Sequence, residues 1–102
     1  MFSTNGRAHE SARQALALVF VRRGKAAQAL DTLEPLLRRR PNDPALLRTI
    51  AEVHLAGNNP ARAAEFFARA AKVDTGNVSG RVRLAQVRMS TGDARALKDL
   101  EG

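Results

Sequence analysis

The sequence predicts an all-α fold, a solenoid of antiparallel helix pairs, and three observations predict it. The first is a period of 34 residues: Leu16-Ala17, Ile50-Ala51 and Leu84-Ala85 stand at that spacing, as do Gly24, Asn58 and Gly92. Ala29, Ala63 and Leu97 follow the same step. A fixed period of this length marks a stacked-repeat architecture, in which each unit buries its apolar face on its neighbour. The second is composition. Apolar residues make up 44% of the chain, mostly Ala, Leu and Val, and aromatics only 4%, which suits close helix packing better than a sheet core. The third is the recurrence of helix start and stop signals at the edges of each unit.

Residues 1–9 are polar, contain the turn dipeptide Asn5-Gly6, and read as a frayed lead-in. The first unit spans 10–43. From about His9, Ala12, Ala15, Leu16, Val19, Phe20 and Arg23 follow helical i, i+3, i+4, i+7 spacing, with Arg13 and Arg22 off the stripe. Gly24 ends this helix as a residue able to adopt positive φ. A second helix, from about Ala26 to Arg39, carries Ala29, Leu30, Leu33, Leu36 and Leu37 on one face. Pro35 lies inside it, removes one amide donor, and is expected to bend or split it. Arg38, Arg39 and Arg40 fall in its last turn, where cations complement the helix dipole. Pro41-Asn42-Asp43 then breaks the chain.

The second unit spans 44–77. Asp43 before Pro44 is an N-cap followed by an N1 proline, a strong start for a helix over 44–56. Asn59-Pro60 repeats that chemistry and opens a helix over 60–73, which buries Ala63, Ala64, Phe67, Ala70 and Ala71. Thr75-Gly76-Asn77 turns the chain into the partial third unit, 78–102. Its first helix covers 78–90 and is weakened at Gly80 by about 1 kcal/mol. A sixth, short helix starts at Ala94. With so little chain after it, Val82, Leu84, Val87, Leu97 and Leu100 are expected to lack cover. That end then either self-associates or is covered by further chain of a longer array.

These residues resemble the tetratricopeptide repeat, whose signature pairs a Leu with a small residue, then sets an aromatic, an Ala, a second aromatic and a Pro at fixed offsets. The first unit matches with Leu16-Ala17, Phe20, Gly24, Ala29, Leu33 and Pro41. The second matches with Ile50-Ala51, His54, Ala63, Phe67 and Ala70, with Thr75 in place of the proline. The third keeps Leu84-Ala85, Gly92 and Leu97. Arg88 departs from the pattern, standing where the earlier units have Phe20 and His54, and predicts looser packing there. The resemblance implies a right-handed α-solenoid of about three repeats.

It also implies a function: a protein–protein interaction scaffold, in which the first helices of the pairs line a concave groove for an extended peptide or partner helix. By repeat offset the groove residues are Gln14, Leu18, Val21 and Arg22, then Arg48, Thr49, Glu52 and Leu55, then Arg83, Gln86 and Met89. Arg and Gln among apolar side chains suit a peptide with acidic groups. Chaperone-binding members of the family hold a peptide C-terminus with a Lys/Asn/Asn/Lys/Arg clamp. Here Gln14, Leu18, Thr49 and Ser79 occupy its other positions and only Arg83 matches, which argues against that specialisation. The wording of the later repeats, AEVHLAGNNPARAAEFFARAA and RLAQVRMSTGDARALKDLEG, is also similar to bacterial tetratricopeptide lipoproteins of exopolysaccharide-export and surface-sorting systems. A structural segment of such an array is an alternative, and it sets a periplasmic location against a cytoplasmic one.

Catalytic chemistry is poorly supplied. There is no Cys and no Tyr, and His9 and His54 are the two histidines, so nucleophile–base pairs are scarce and no H-x-x-x-H or similar metal-ligand spacing occurs. His54 sits on the apolar stripe and reads as a core histidine; Asp31 and Glu34 read as solvated surface. No glycine-rich phosphate loop occurs, and neither a cofactor nor an enzymatic activity is expected. Net charge is +7, from 14 Arg and three Lys. It is spread as +1 over 1–9, +3 over 10–43, +1 over 44–77 and +2 over 78–102, not gathered in a tail. Polyanion or nucleic-acid binding through these arginines is the rival reading, and the lack of aromatic stacking residues beside them counts against it. No apolar run spans a membrane, and Met1–Glu10 has no signal-peptide core.

Overall fold

The computed structural model describes residues 6–92. They form five α-helices: α1 (Gly6–Arg22), α2 (Ala26–Arg39), α3 (Pro44–Ala56), α4 (Pro60–Val73) and α5 (Val78–Ser90). Each packs chiefly on the next in the chain, α1 on α2, α2 on α3, α3 on α4 and α4 on α5. The expected sixth helix lies outside the described residues. α1 starts at Gly6, so residues 6–9, read from sequence as lead-in, belong to the helix.

Helix starts are set by short polar side chains. The Asp43 carboxylate accepts hydrogen bonds from the amides of Ala45 and Leu46 at 3.0 and 3.3 Å, ahead of Pro44. Asn59 accepts from the Arg62 amide at 3.3 Å. Asn77, read from sequence only as part of a turn, accepts from the Gly80 amide at 2.8 Å and so caps α5. Helix ends are set by backbone conformation. Gly24, Asn58 and Gly92, one period apart in sequence, all take positive φ, at 74°, 62° and 74°. The same turn thus joins α1 to α2 and α3 to α4, and it follows α5. Pro35 does not split α2, which is continuous from Ala26 to Arg39. Leu33 and Leu36 on either side are 0% and 2% exposed, and that packing holds the helix across the lost amide.

Alanines mark the closest approaches. Ala17, Ala29, Ala51, Ala63 and Ala85 are each fully buried, and the bulky fillers are Leu33, Leu47, Phe66 and Phe67. Leu47 and Phe66 were not legible as core from the repeat signature. Arg88 is itself buried at 8% exposure.

Two expectations about uncovered apolar residues are corrected. Leu84 and Val87 in α5 are buried, at 4% and 3% exposure, because α4 covers that face. Val82 is exposed as expected, whereas Leu97 and Leu100 lie outside the described residues. In α1 the predicted stripe is open: Leu16 and Val19 are 46% and 41% exposed, and Ala12 and Ala15 are exposed too. α1 meets α2 through Ala17, with Phe20 and Val21 half-buried beside it. Among the described residues α1 packs chiefly on α2, and no other helix covers that outer face.

Candidate peptide-binding groove

The predicted groove residues lie on α1, α3 and α5, and three rows run across them at the repeat spacing. One row is Val21, Leu55 and Met89; the next is Leu18, Glu52 and Gln86; the third is Gln14, Arg48 and Val82. Val82 was not among the residues predicted for the groove, yet it stands at the place of Gln14 and Arg48 and is 38% exposed. Leu18 and Met89 are 51% and 53% exposed, apolar side chains that packing leaves free. Val21 and Leu55 are half-buried against the core. Arg22 and Gln86 are exposed, and Gln14 borders a hollow with Glu10, Ser11, Arg40 and Asp43.

The charged members are not idle. Arg83 donates from Nε and Nη2 to the Glu52 carboxylate at 3.0 and 2.8 Å, joining α5 to α3. Glu52 raises the Arg83 pKa further through that hydrogen bond. The Arg83 guanidinium also lies 5.8 Å from the Phe67 ring centroid. Arg48 pairs with Asp74 at 3.7 Å, a partner the groove prediction did not include. Thr49 donates its hydroxyl to the Ala45 carbonyl at 3.0 Å, within its own helix. Of the predicted set, then, the structure brings Arg83 and Glu52 together and sends Arg48 elsewhere.

Asp74 escaped the sequence reading because the repeat places Arg40 at its position in the first pair. The two residues do the same work with opposite charge. Arg40 pairs with the buried Glu10, and Arg39 lies 4.0 Å from it; Asp74 pairs with Arg48. Each ties the end of a second helix to the early turns of the first helix of its own pair.

Away from these rows, His54 forms the floor of a cleft of about 230 Å³ lined by Leu30, Glu34, Leu37, Ile50, Arg62 and Phe66. Its ring stacks on Phe66 with centroids 5.4 Å apart and planes 18° from parallel. Arg62 and Arg69 lie over the Phe66 ring, 5.5 and 5.0 Å from its centroid. Burial lowers the His54 pKa below the usual imidazole value, Arg62 lowers it further, and Glu65 opposes them. Among the described residues, no group of three or more His, Asp or Glu side chains is placed to hold a metal ion. No described helix is long and apolar enough to cross a membrane.

A family model described as Tetratricopeptide repeat matches residues 15–78, more than half of the chain. No curated protein matches it. Repeats of this kind are generally protein–protein interaction modules and typically non-catalytic. Helix pairs joined by the same positive-φ turn, small residues at each close approach and this match lead to one assignment: the chain belongs to the tetratricopeptide repeat family.

Proposed function

We propose that the chain is a binding scaffold, and that the rows across α1, α3 and α5 hold an extended peptide or a partner helix. The observation that carries this reading is the exposure of Leu18 and Met89, 51% and 53%, in neighbouring rows on the first and third of those helices. Side chains that the fold does not need are held there on rigid elements. Because Arg83 and Arg48 already answer Glu52 and Asp74, an acidic peptide has to compete with carboxylates in place. Apolar side chains on the ligand meet no such competition. The groove therefore favours a ligand with apolar anchors and a minor share of acidic contacts.

The polyanion reading fits less well, since Arg38, Arg39, Arg40, Arg48, Arg62 and Arg83 all pair with carboxylates. The test is a peptide selected from a random library for binding to the wild-type chain. Leu18→Asp with Met89→Asp should abolish its binding, and Asp31→Ala, on the opposite helix layer, should leave it unchanged. If the double variant binds as well as wild type while its circular dichroism is unaltered, the groove reading fails.

A further inference from the structure

The cleft over His54 lies where two repeats meet, walled by α2 from the first pair and by α3 and α4 from the second. At the place of His54 the first unit has Phe20 and the third has Arg88, so the imidazole marks this junction alone. Three properties of the cleft set the chemistry of what it can hold.

The first is a hydrogen-bonding group with nothing to bond. His54 is 9% exposed, and among the described residues its ring nitrogens have no hydrogen-bond partner. Neither nitrogen is sealed from outside, and the ring borders the cleft. Burial holds the imidazole uncharged at neutral pH, so one nitrogen donates and the other accepts. A nearly buried polar group without a partner is costly, and a ligand that supplies one recovers that cost.

The second is charge. Glu34 and Arg62 both line the cleft, and each already has its counter-ion: Arg38 at 2.6 Å and Glu65 at 2.7 Å. An anion entering meets the Glu34 carboxylate and a cation meets the Arg62 guanidinium, so a neutral ligand is favoured. The third is size. The cleft holds about 230 Å³ between Leu30, Leu37, Ile50 and Phe66. An apolar cavity of about 150 Å³ accepts benzene, and sites for drug-sized molecules begin at about 300 Å³. One substituted ring fits between those limits.

We propose that the cleft between α2, α3 and α4 binds a small neutral phenol. Its ring lies against Leu30, Leu37 and Ile50, and its hydroxyl donates to the accepting nitrogen of His54. A phenol ionises only near about pH 10, so at neutral pH it is uncharged and still a good donor. The site shares no residue with the rows of the groove, so either reading can fail while the other stands.

The probe is p-cresol, titrated to about 5 mM into the isotope-labelled whole chain at about pH 7.5, where His54 is neutral. Amide and side-chain resonances are followed by NMR. Saturable shifts should appear at Leu30, His54 and Phe66, with Kd of about 1 mM, ordinary for so small a ligand. Toluene keeps the ring, lacks the hydroxyl, and should bind about threefold more weakly or worse. Benzoate should also bind more weakly than p-cresol. His54→Phe keeps a ring on Phe66 and removes the acceptor, so it should erase the preference for p-cresol over toluene. The comparison of ligands on the wild-type chain decides the matter even if that variant fails to fold.

Absence of saturable shifts at these residues overturns the proposal, as does toluene or benzoate binding as tightly as p-cresol. A folded His54→Phe chain that keeps the preference overturns it too. Tighter binding of N-acetyltyrosinamide than of p-cresol would give the cleft to a partner's tyrosine and overturn the assignment to a free phenol.

Discussion

Arg83 grips the Glu52 carboxylate with two hydrogen bonds, 3.0 and 2.8 Å long, across 31 residues of sequence. The pair links α5 to α3 directly, although each of them packs chiefly on α4. Both side chains are about half exposed, so water and salt screen the attraction. A double-mutant cycle on Arg83→Ala and Glu52→Ala should give a coupling below about 1 kcal/mol, smaller still in high salt. Chemical denaturation of the four proteins measures it, and a larger coupling would mean a far drier contact than the structure shows.

Ala51 and Ala63 are fully buried on the facing helices α3 and α4. Leu at either site has to displace a neighbouring helix, at a cost of about 1–3 kcal/mol. Thermal melts of Ala51→Leu and Ala63→Leu check this. Unchanged midpoints in both would refute close approach at these positions.

Asn58 holds the left-handed turn at φ 62°, where its two repeat equivalents are glycines. Asn58→Gly should therefore change stability by less than about 1 kcal/mol, and Asn58→Val should lose about 1–2 kcal/mol by forcing a β-branched residue into that region. Urea midpoints of the two variants, compared at equal slope, decide the matter.

His54 makes stability depend on mild acid. Burial, then Arg62, lowers its folded-state pKa, so below the ordinary imidazole value the unfolded chain binds the proton more readily than the folded one. The contribution is fully present above that value and is lost as pH falls from it towards the folded pKa. Phe at this site copies Phe20 of the first repeat and keeps an aromatic ring on Phe66. Melting temperatures between about pH 7.5 and pH 5 should fall for wild type and fall less for His54→Phe. Parallel curves would remove His54 as the cause.

Much of the fold was legible because its determinants are local. Asp43-Pro44, Asn59-Pro60 and the period of Gly24, Asn58 and Gly92 each act over a few residues, and sequence displays them directly. What was illegible depends on which neighbour is present. The stripe of α1 reads the same as those of α3 and α5, yet Leu16 and Val19 are open because no helix among the described residues packs on that face. The groove was legible as positions on helices and not as charge pairs. Arg48–Asp74 joins a helix to an inter-repeat loop, and the repeat itself gives no sign of it, since Arg40 holds the equivalent place.

Contacts that run chiefly from each helix to the next in sequence also bear on how the chain folds. Little polypeptide has to be looped out before any contact forms, so contact order is low and folding is fast for the chain's length. Cooperativity is correspondingly short-ranged, each hairpin leaning on its immediate neighbours. Among the described helices, α3 and α4 have a helix on either side, whereas α1 packs chiefly on α2. Amides of α1 should then exchange with solvent deuterium ahead of those in the middle of the stack, as a melting front that enters from the end.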